Sequence, residues 1–147
     1  ADEVTPQIIE YAVDTTRTMA SLLFGGAAAK YPDIRWIFSH SGGVTPFLLS
    51  RFTYQESVMK GREDKLPRGL MHELKKFYYD TAQGNHAGAL AALLKIAPVS
   101  QLLYGTDFPF RSGAEVHAGL AQYGFSPAEL LAIERDNALR LLPALKR

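Results

Sequence analysis

Three side chains in this sequence can bind a metal ion or move a proton from a suggestive place: His40, Asp80 and Asp107 each follow a short apolar run. The clearest run is Leu102–Phe110, LLYGTDFPF, whose strand-like start stops at Gly105 and leaves Asp107 just past the strand end. In α/β proteins, side chains at the carboxyl ends of parallel strands converge on the crevice where ligands bind. There a carboxylate can ligate a divalent ion, and an imidazole, with a pKa near about 6.5, can give or take a proton. Each residue also has a local explanation. Asp107 before Phe108-Pro109 can take the N–H groups of its own turn, and Asp80 before Thr81 is either a local cap or a partner standing behind the site.

The remaining candidates carry less. His86 sits beside Asn85 at the start of a helical stretch, where it either caps the helix or faces the crevice. Arg111 follows the GTDFPF turn and either meets an anionic substrate or stands exposed, while His72 and His117 lie in helical stretches and are expected in solvent. Ser41-Gly42-Gly43 precedes a helix, but its spacing fits neither the Walker loop nor the dinucleotide fingerprint.

These residues need strands to hold them and helices to space the strands. Ile8, Ile9, Ala12, Val13, Thr16, Met19, Ala20, Leu22 and Leu23 form an apolar stripe, read as one helix, or two abutting ones if Asp14 is an N-cap. Gly25-Gly26 ends it. The β-branched and aromatic run Ile34–Ser39 predicts a strand with His40 at its carboxyl end. Thr45 as N-cap and Pro46 at the first helical position predict a helix to about Lys60, followed by an exposed connection over Gly61–Lys65 and a short helix over Leu70–Lys76. Phe77–Asp80 is the second strand and stops in the polar cluster Thr81–Asn85. A helix over His86–Ile96 closes at Pro98, and Leu102–Tyr104 is the third strand. Helices then cover Ala114–Tyr123 and, from the capping box Ser126-Pro127-Ala128-Glu129, run through Arg135; Asp136 is expected to cap a last helix, Asn137–Leu142, ended by Pro143. Strands alternating with helices predict right-handed parallel crossovers and an α/β class.

With 147 residues and 47% hydrophobic residues, the chain can bury one core and is expected to be a single domain over residues 1–147. A net charge of +1 gives no electrostatic footprint for nucleic acid or an anionic membrane. The absence of cysteine excludes disulfides and thiolate metal sites, and no run approaches the roughly 18 apolar residues that span a bilayer. The opening ADEVTPQ has no signal-peptide character, so a cytoplasmic location is expected.

Four stretches occur in a fixed order: KYPDIRWIFSHSGGVTPFLLSRF at Lys30–Phe52, YYDTA at Tyr78–Ala82, LLYGTDFPF, and NALRLL at Asn137–Leu142. Together they resemble the carboxyl-terminal portion of the amidohydrolase-related family, the metal-dependent (β/α)8 barrels that include aminocarboxymuconate-semialdehyde decarboxylase and the resorcylate- and methylsalicylate-type decarboxylases. The resemblance implies the carboxyl-terminal part of a TIM barrel, with about three parallel βα units plus flanking helices. Members carry a His-x-His pair on the first strand, histidines on the fifth and sixth, and an aspartate on the eighth. By position His40 matches the sixth-strand histidine and Asp107 the eighth-strand aspartate. Asp107 is thereby assigned to the metal and His40 to proton transfer beside it, although in related hydrolases that histidine can be a ligand. Only His40, His72, His86 and His117 are histidines, and no His-x-His pair occurs, so most of the metal site is missing from this chain.

The implied activity is metal-dependent decarboxylation, preferred, or hydrolysis of a small carboxylated aromatic or unsaturated compound. Zinc is the expected ion and manganese the alternative. Arg111 and His86 are the substrate-binding candidates. The other class of function is a non-catalytic truncated domain that only associates with another chain. In either case three strands cut from a closed barrel have two free edges and an uncovered inner face, where Trp36 and Phe38 alternate with Ile37. The chain is therefore expected to pair with the missing amino-terminal barrel portion or with a second copy, as a homo-oligomer.

Overall fold

The computed structural model describes residues 4–145. Three short strands, β1 (Ile37–Phe38), β2 (Tyr78–Asp80) and β3 (Leu102–Leu103), form one parallel sheet in the order β1-β2-β3. Ile37 pairs with Tyr78, and Tyr79 with Leu102. Parallel neighbours require long crossovers, and here helices supply them, so three successive βα units lie side by side, the arrangement that the resemblance to part of a TIM barrel implies.

The first apolar stripe is one unbroken helix, α1 (Pro6–Phe24), with Thr16, Met19 and Leu23 buried. Asp14 lies in its interior and faces Arg17 at 3.5 Å instead of starting a second helix. After the turn α2 (Ala27–Lys30), β1 is shorter than the Ile34–Ser39 run predicts. Its composition favours a strand throughout, but ladder bonds need a neighbour, and the pairing with β2 reaches back only to Trp36, whose carbonyl accepts from the Tyr78 N–H at 2.9 Å. Arg35 instead turns its guanidinium to the carbonyls of Pro32 and Asp33.

Thr45 is not an N-cap. It opens a 3-10 turn, Thr45–Leu48, and is fully buried, with its hydroxyl 3.2 Å from Met19 Sδ; α3 (Leu49–Val58) continues from that turn. Gly61–Lys65, expected as an exposed connection, contains the helical turn α4 (Arg62–Lys65), which has no buried residue and is entered through Gly61 at φ 68°. The helix over Leu70–Lys76 is present as α5 (Leu70–Lys76), and α6 (Ala87–Leu93) and α7 (Gly113–Tyr123) occupy the next two predicted stretches, α6 ending early.

The Ser126 capping box is formed, and α8 (Pro127–Leu131) follows it. A π-helical turn, Ala132–Asp136, then runs straight into α9 (Asn137–Leu141). Asp136 has helical backbone angles and makes no capping bond, because no new helix starts there. The bond that matters is made by Asn137, whose buried amide donates to the carbonyls of Val99 and Leu102 and ties this helical run to β3.

The core lies between the sheet and these helices, with Met19, Leu23, Phe77, Tyr79, Leu90, Leu93, Leu102, Leu120 and Ile133 buried. Phe38 belongs to it, packed on Phe77 with ring centroids 4.9 Å apart, and Trp36 is half-buried against it. Ile37 points to the opposite face and is 52% exposed, so Trp36 and Phe38 take the helix side and Ile37 the inner side. Among the described residues no helix is long and apolar enough to cross a membrane.

Candidate active site

Each strand ends in a backbone conformation that L-residues rarely adopt. The non-glycine residues with positive φ among those described are His40 (51°), Ser41 (57°), Gln83 (52°) and Asp107 (63°), and all follow within four residues of a strand end. Such strain persists only where surrounding contacts over-determine it, and it concentrates at functional sites. Here the contacts are specific. The His40 N–H donates to Asp80 Oδ1 at 2.8 Å, the Ala82 N–H donates to the same oxygen at 3.0 Å, and Ser41 Oγ donates to the Asp80 carbonyl at 3.3 Å. Asp107 closes its own turn by accepting the Phe110 N–H on its carbonyl.

Glycine makes room for the first turn. A Cβ on Gly42 would lie 2.9 Å from the Tyr79 ring, and one on Gly43, at φ 63°, would lie 2.1 Å from the Ala12 carbonyl oxygen. The two glycines in SHSGG therefore serve close packing of the His40 turn on β2 and α1.

The outcome is that His40 Nε2 stands 3.7 Å from Asp107 Oδ2, with both side chains about a quarter exposed (24% and 26%). Gln83 Nε2 donates to that same Asp107 oxygen at 2.5 Å. Burial pushes the Asp80 carboxyl above the usual carboxylate range, and the N–H groups of His40 and Ala82 pull it back down. The pair opens into a cleft of about 530 Å³. Its walls are largely apolar, with Ile8, Tyr11, Val44, Phe47 and Phe110 among them, and no lysine or arginine is among its described lining residues. An imidazole and a carboxylate so placed can exchange a proton with a bound molecule, or offer two donors to a cation. Among the described residues, no group of three or more His, Cys, Asp and Glu is close enough to hold a metal ion. The donors present thus fit one side of a divalent site and not a whole one.

The structure brings His40 and Asp107 together and sets Asp80 behind them. His86 does both things that its position left open: its Nδ1 accepts the Ala89 N–H at 3.3 Å as the N-cap of α6, and its side chain lines the cleft. Arg111 is not a lining residue; its guanidinium pairs with Glu115 one turn along. His117 is exposed and meets Glu134, but His72, expected in solvent, is half-buried 4.0 Å from Glu73. Gln83 bears on the site without any motif of its own, and Ser41 stands out in the sequence only as part of the Ser41-Gly42-Gly43 turn. The available signal for Gln83 was its place in the polar cluster after β2, and for Ser41 its place beside His40; neither spacing reveals a bond across strands.

The chain is also similar to known proteins. The profile of the family described as amidohydrolase matches residues 9–144. Decarboxylase macB from Penicillium terrestre is 33% identical over 106 residues, which cover 70% of this chain and 31% of that protein. The 6-methylsalicylic acid decarboxylase acuB from Aspergillus aculeatus is 31% identical, over 95% of this chain and 45% of its own length. Among solved structures, dihydroxybenzoic acid decarboxylase from Polaromonas sp. JS666, with bound manganese and the inhibitor 2-nitroresorcinol, superposes with a TM-score of 0.72 at 22% identity, covering 92% of this chain and 40% of that one. The chain thus spans less than half the length of these relatives.

Proposed function

This chain belongs to the amidohydrolase family, and from that premise we propose that it supplies the carboxyl-terminal part of a metal-dependent decarboxylase for a small carboxylated aromatic or unsaturated compound. The observation that carries the reading is the His40 Nε2 to Asp107 Oδ2 approach of 3.7 Å at the mouth of an apolar cleft. The names of the relatives favour loss of CO2 over hydrolysis. Within this reading residues 1–147 are one domain of a partial barrel.

Asp107 is the residue that would hold a divalent ion, and His40 the one that would carry the proton. A divalent ion held there would supply Lewis acidity toward the substrate's oxygens; manganese would suit the oxygen-rich side offered by Asp107, and zinc a site completed by histidines. The His40 backbone is held by Asp80 through its N–H, which leaves Nε2 free toward the cleft. As the bond from ring carbon to carboxylate breaks, its electron pair stays on the carbon and takes the proton that His40 Nε2 delivers. Phe47, Phe110, Tyr11 and Ile8 line the cleft and receive the hydrocarbon part of the substrate.

The incomplete donor set favours a second element of the reading: the remaining ligands come from polypeptide beyond these residues. The test pairs elemental analysis with CO2 release on the intact polypeptide that carries this segment. Asp107→Ala is expected to lower metal occupancy. His40→Ala is expected to keep the metal and cut turnover by roughly 10²–10⁴-fold, the usual contribution of a general acid. If His40→Ala loses the metal while Asp107→Ala retains it, the two roles are reversed. If the intact polypeptide holds metal but releases no CO2 from any hydroxybenzoate, the decarboxylase reading fails.

A further inference from the structure

The residues that place His40 and Asp107 converge on the end of β2, a strand that contributes neither of them. Asp80 Oδ1 accepts one local N–H, from Ala82, and one from His40, forty residues earlier in the chain. The second bond matters because β1 stops at Phe38 and His40 has turned to φ 51°, so its N–H has left the ladder and a side-chain carboxylate stands in for the next backbone acceptor. The other arm is keyed to the adjacent residue. Thr81 Oγ1 accepts the Gly105 N–H at 3.2 Å and lies 3.3 Å from the Gly105 carbonyl oxygen, two residues before Asp107. Gly105 in turn leaves the space that Asp80 occupies, since a Cβ there would lie 2.8 Å from Asp80 Cβ and 2.9 Å from its Cγ.

We propose that Asp80 is a positioning residue for the site: its carboxylate, fitted into the space left by Gly105, holds the left-handed His40 turn so that the imidazole faces Asp107. This rests on the roles given above to His40 and Asp107. It explains why the carboxylate is kept half-buried at a strand end although burial disfavours its charge, since a local cap for Ala82 alone would not need the long-range bond.

The test uses the intact polypeptide that carries this segment, with Asp80→Ala, Asp80→Asn and Gly105→Ala, read by the His40 ring Cε1–H resonance and by hydrogen exchange of the His40 amide. In Asp80→Ala the ring resonance is expected to move and the amide to exchange at least about tenfold faster, the worth of one hydrogen bond to a charged group, while the methyl resonances of Leu90 and Leu120 stay in place. Asp80→Asn keeps an oxygen acceptor of the same shape and is expected to restore both signals toward wild type. If Asp80→Ala does not fold, Gly105→Ala decides, because its Cβ displaces Asp80 from the other side and is expected to move the His40 signals. A folded Asp80→Ala with wild-type His40 signals, an Asp80→Asn variant as perturbed as Asp80→Ala, or a Gly105→Ala variant with unmoved His40 signals overturns the proposal. None of these readouts uses turnover or metal, so a failure of the decarboxylase reading shows separately, as absent CO2 release with the His40 signals behaving as stated.

Discussion

Thr16 holds the His40 loop from a distance through one hydroxyl. Its Oγ1 donates to the Ala12 carbonyl, accepts the Val44 N–H at 2.9 Å, and sits 3.4 Å from the Thr45 hydroxyl, in a place closed to water. Replacing that hydroxyl by a methyl group preserves the shape and strands the Val44 N–H without a partner. Thr16→Val is therefore expected to cost about 1–3 kcal/mol, measured as a shift in the urea unfolding midpoint. An unfolding curve that superposes on wild type would mean that water or another group reaches Val44. Gly43→Ala is expected to be worse at the same place, since the new Cβ meets the Ala12 carbonyl oxygen and the backbone stays at φ 63°.

At the level of elements, the start of α8 is the most self-contained unit. Ser126 Oγ accepts the Glu129 N–H, and Glu129 Oε2 accepts the Ser126 N–H at 2.8 Å. Ser126→Ala is expected to destabilise the chain by about 1 kcal/mol, seen as a lower thermal midpoint. The Ser126 backbone and hydroxyl groups hold the Glu129 carboxyl below its usual value. A carboxyl whose folded pKa is depressed contributes stability that is present above its unfolded pKa and is lost as pH falls through the folded one. The difference in thermal midpoint between wild type and Glu129→Gln should accordingly shrink on acidification across the carboxylate range. A difference that stays constant down to acid pH would remove the charge from this account and leave only the hydrogen bonds.

For the whole molecule, the sheet decides the behaviour. β1 pairs on one side only, with β2, and on its inner face Ile37 is half-exposed, with Tyr11 beside it also open to solvent. At about 25 cal/mol per Å² of apolar area, a few hundred Å² of such surface is worth several kcal/mol, comparable to the stability of a small domain. The 147-residue chain is expected to self-associate at micromolar concentration in sedimentation, or to do so until a partner carrying the other strands is added. A compact monomer that binds no apolar dye would show that this face is closed in some other way. With two donors in place among the described residues, the chain by itself is also expected to bind zinc and manganese weakly. Micromolar zinc affinity in a titration, lost in Asp107→Ala, would show that a third donor has been overlooked.

Much of this protein was readable in its sequence because the signals were local. The apolar stripe of α1, the Pro-marked start and capping box of α8, and the order of three apolar runs each ending in a polar cluster depend on neighbouring residues alone, and they were enough for the α/β class and for placing His40 and Asp107 at strand ends. What lay beyond reach were bonds between residues far apart in the chain. Strand length depends on the partner's ladder, so β1 keeps two of the residues that its composition favours. Thr45 and Asp136 look like caps by type and by the residue that follows, but a buried pocket beside Met19 claims the first and a continuous helical backbone absorbs the second. Gln83 on Asp107, Asp80 on His40 and Arg111 on Glu115 are choices between alternative partners, settled by where the strand ends deliver each polar group. Sequence determined which residues could do the chemistry, because residue type and local pattern suffice for that. Tertiary structure decided which of them meet, because a desolvated polar group must find its partner wherever the fold has put one.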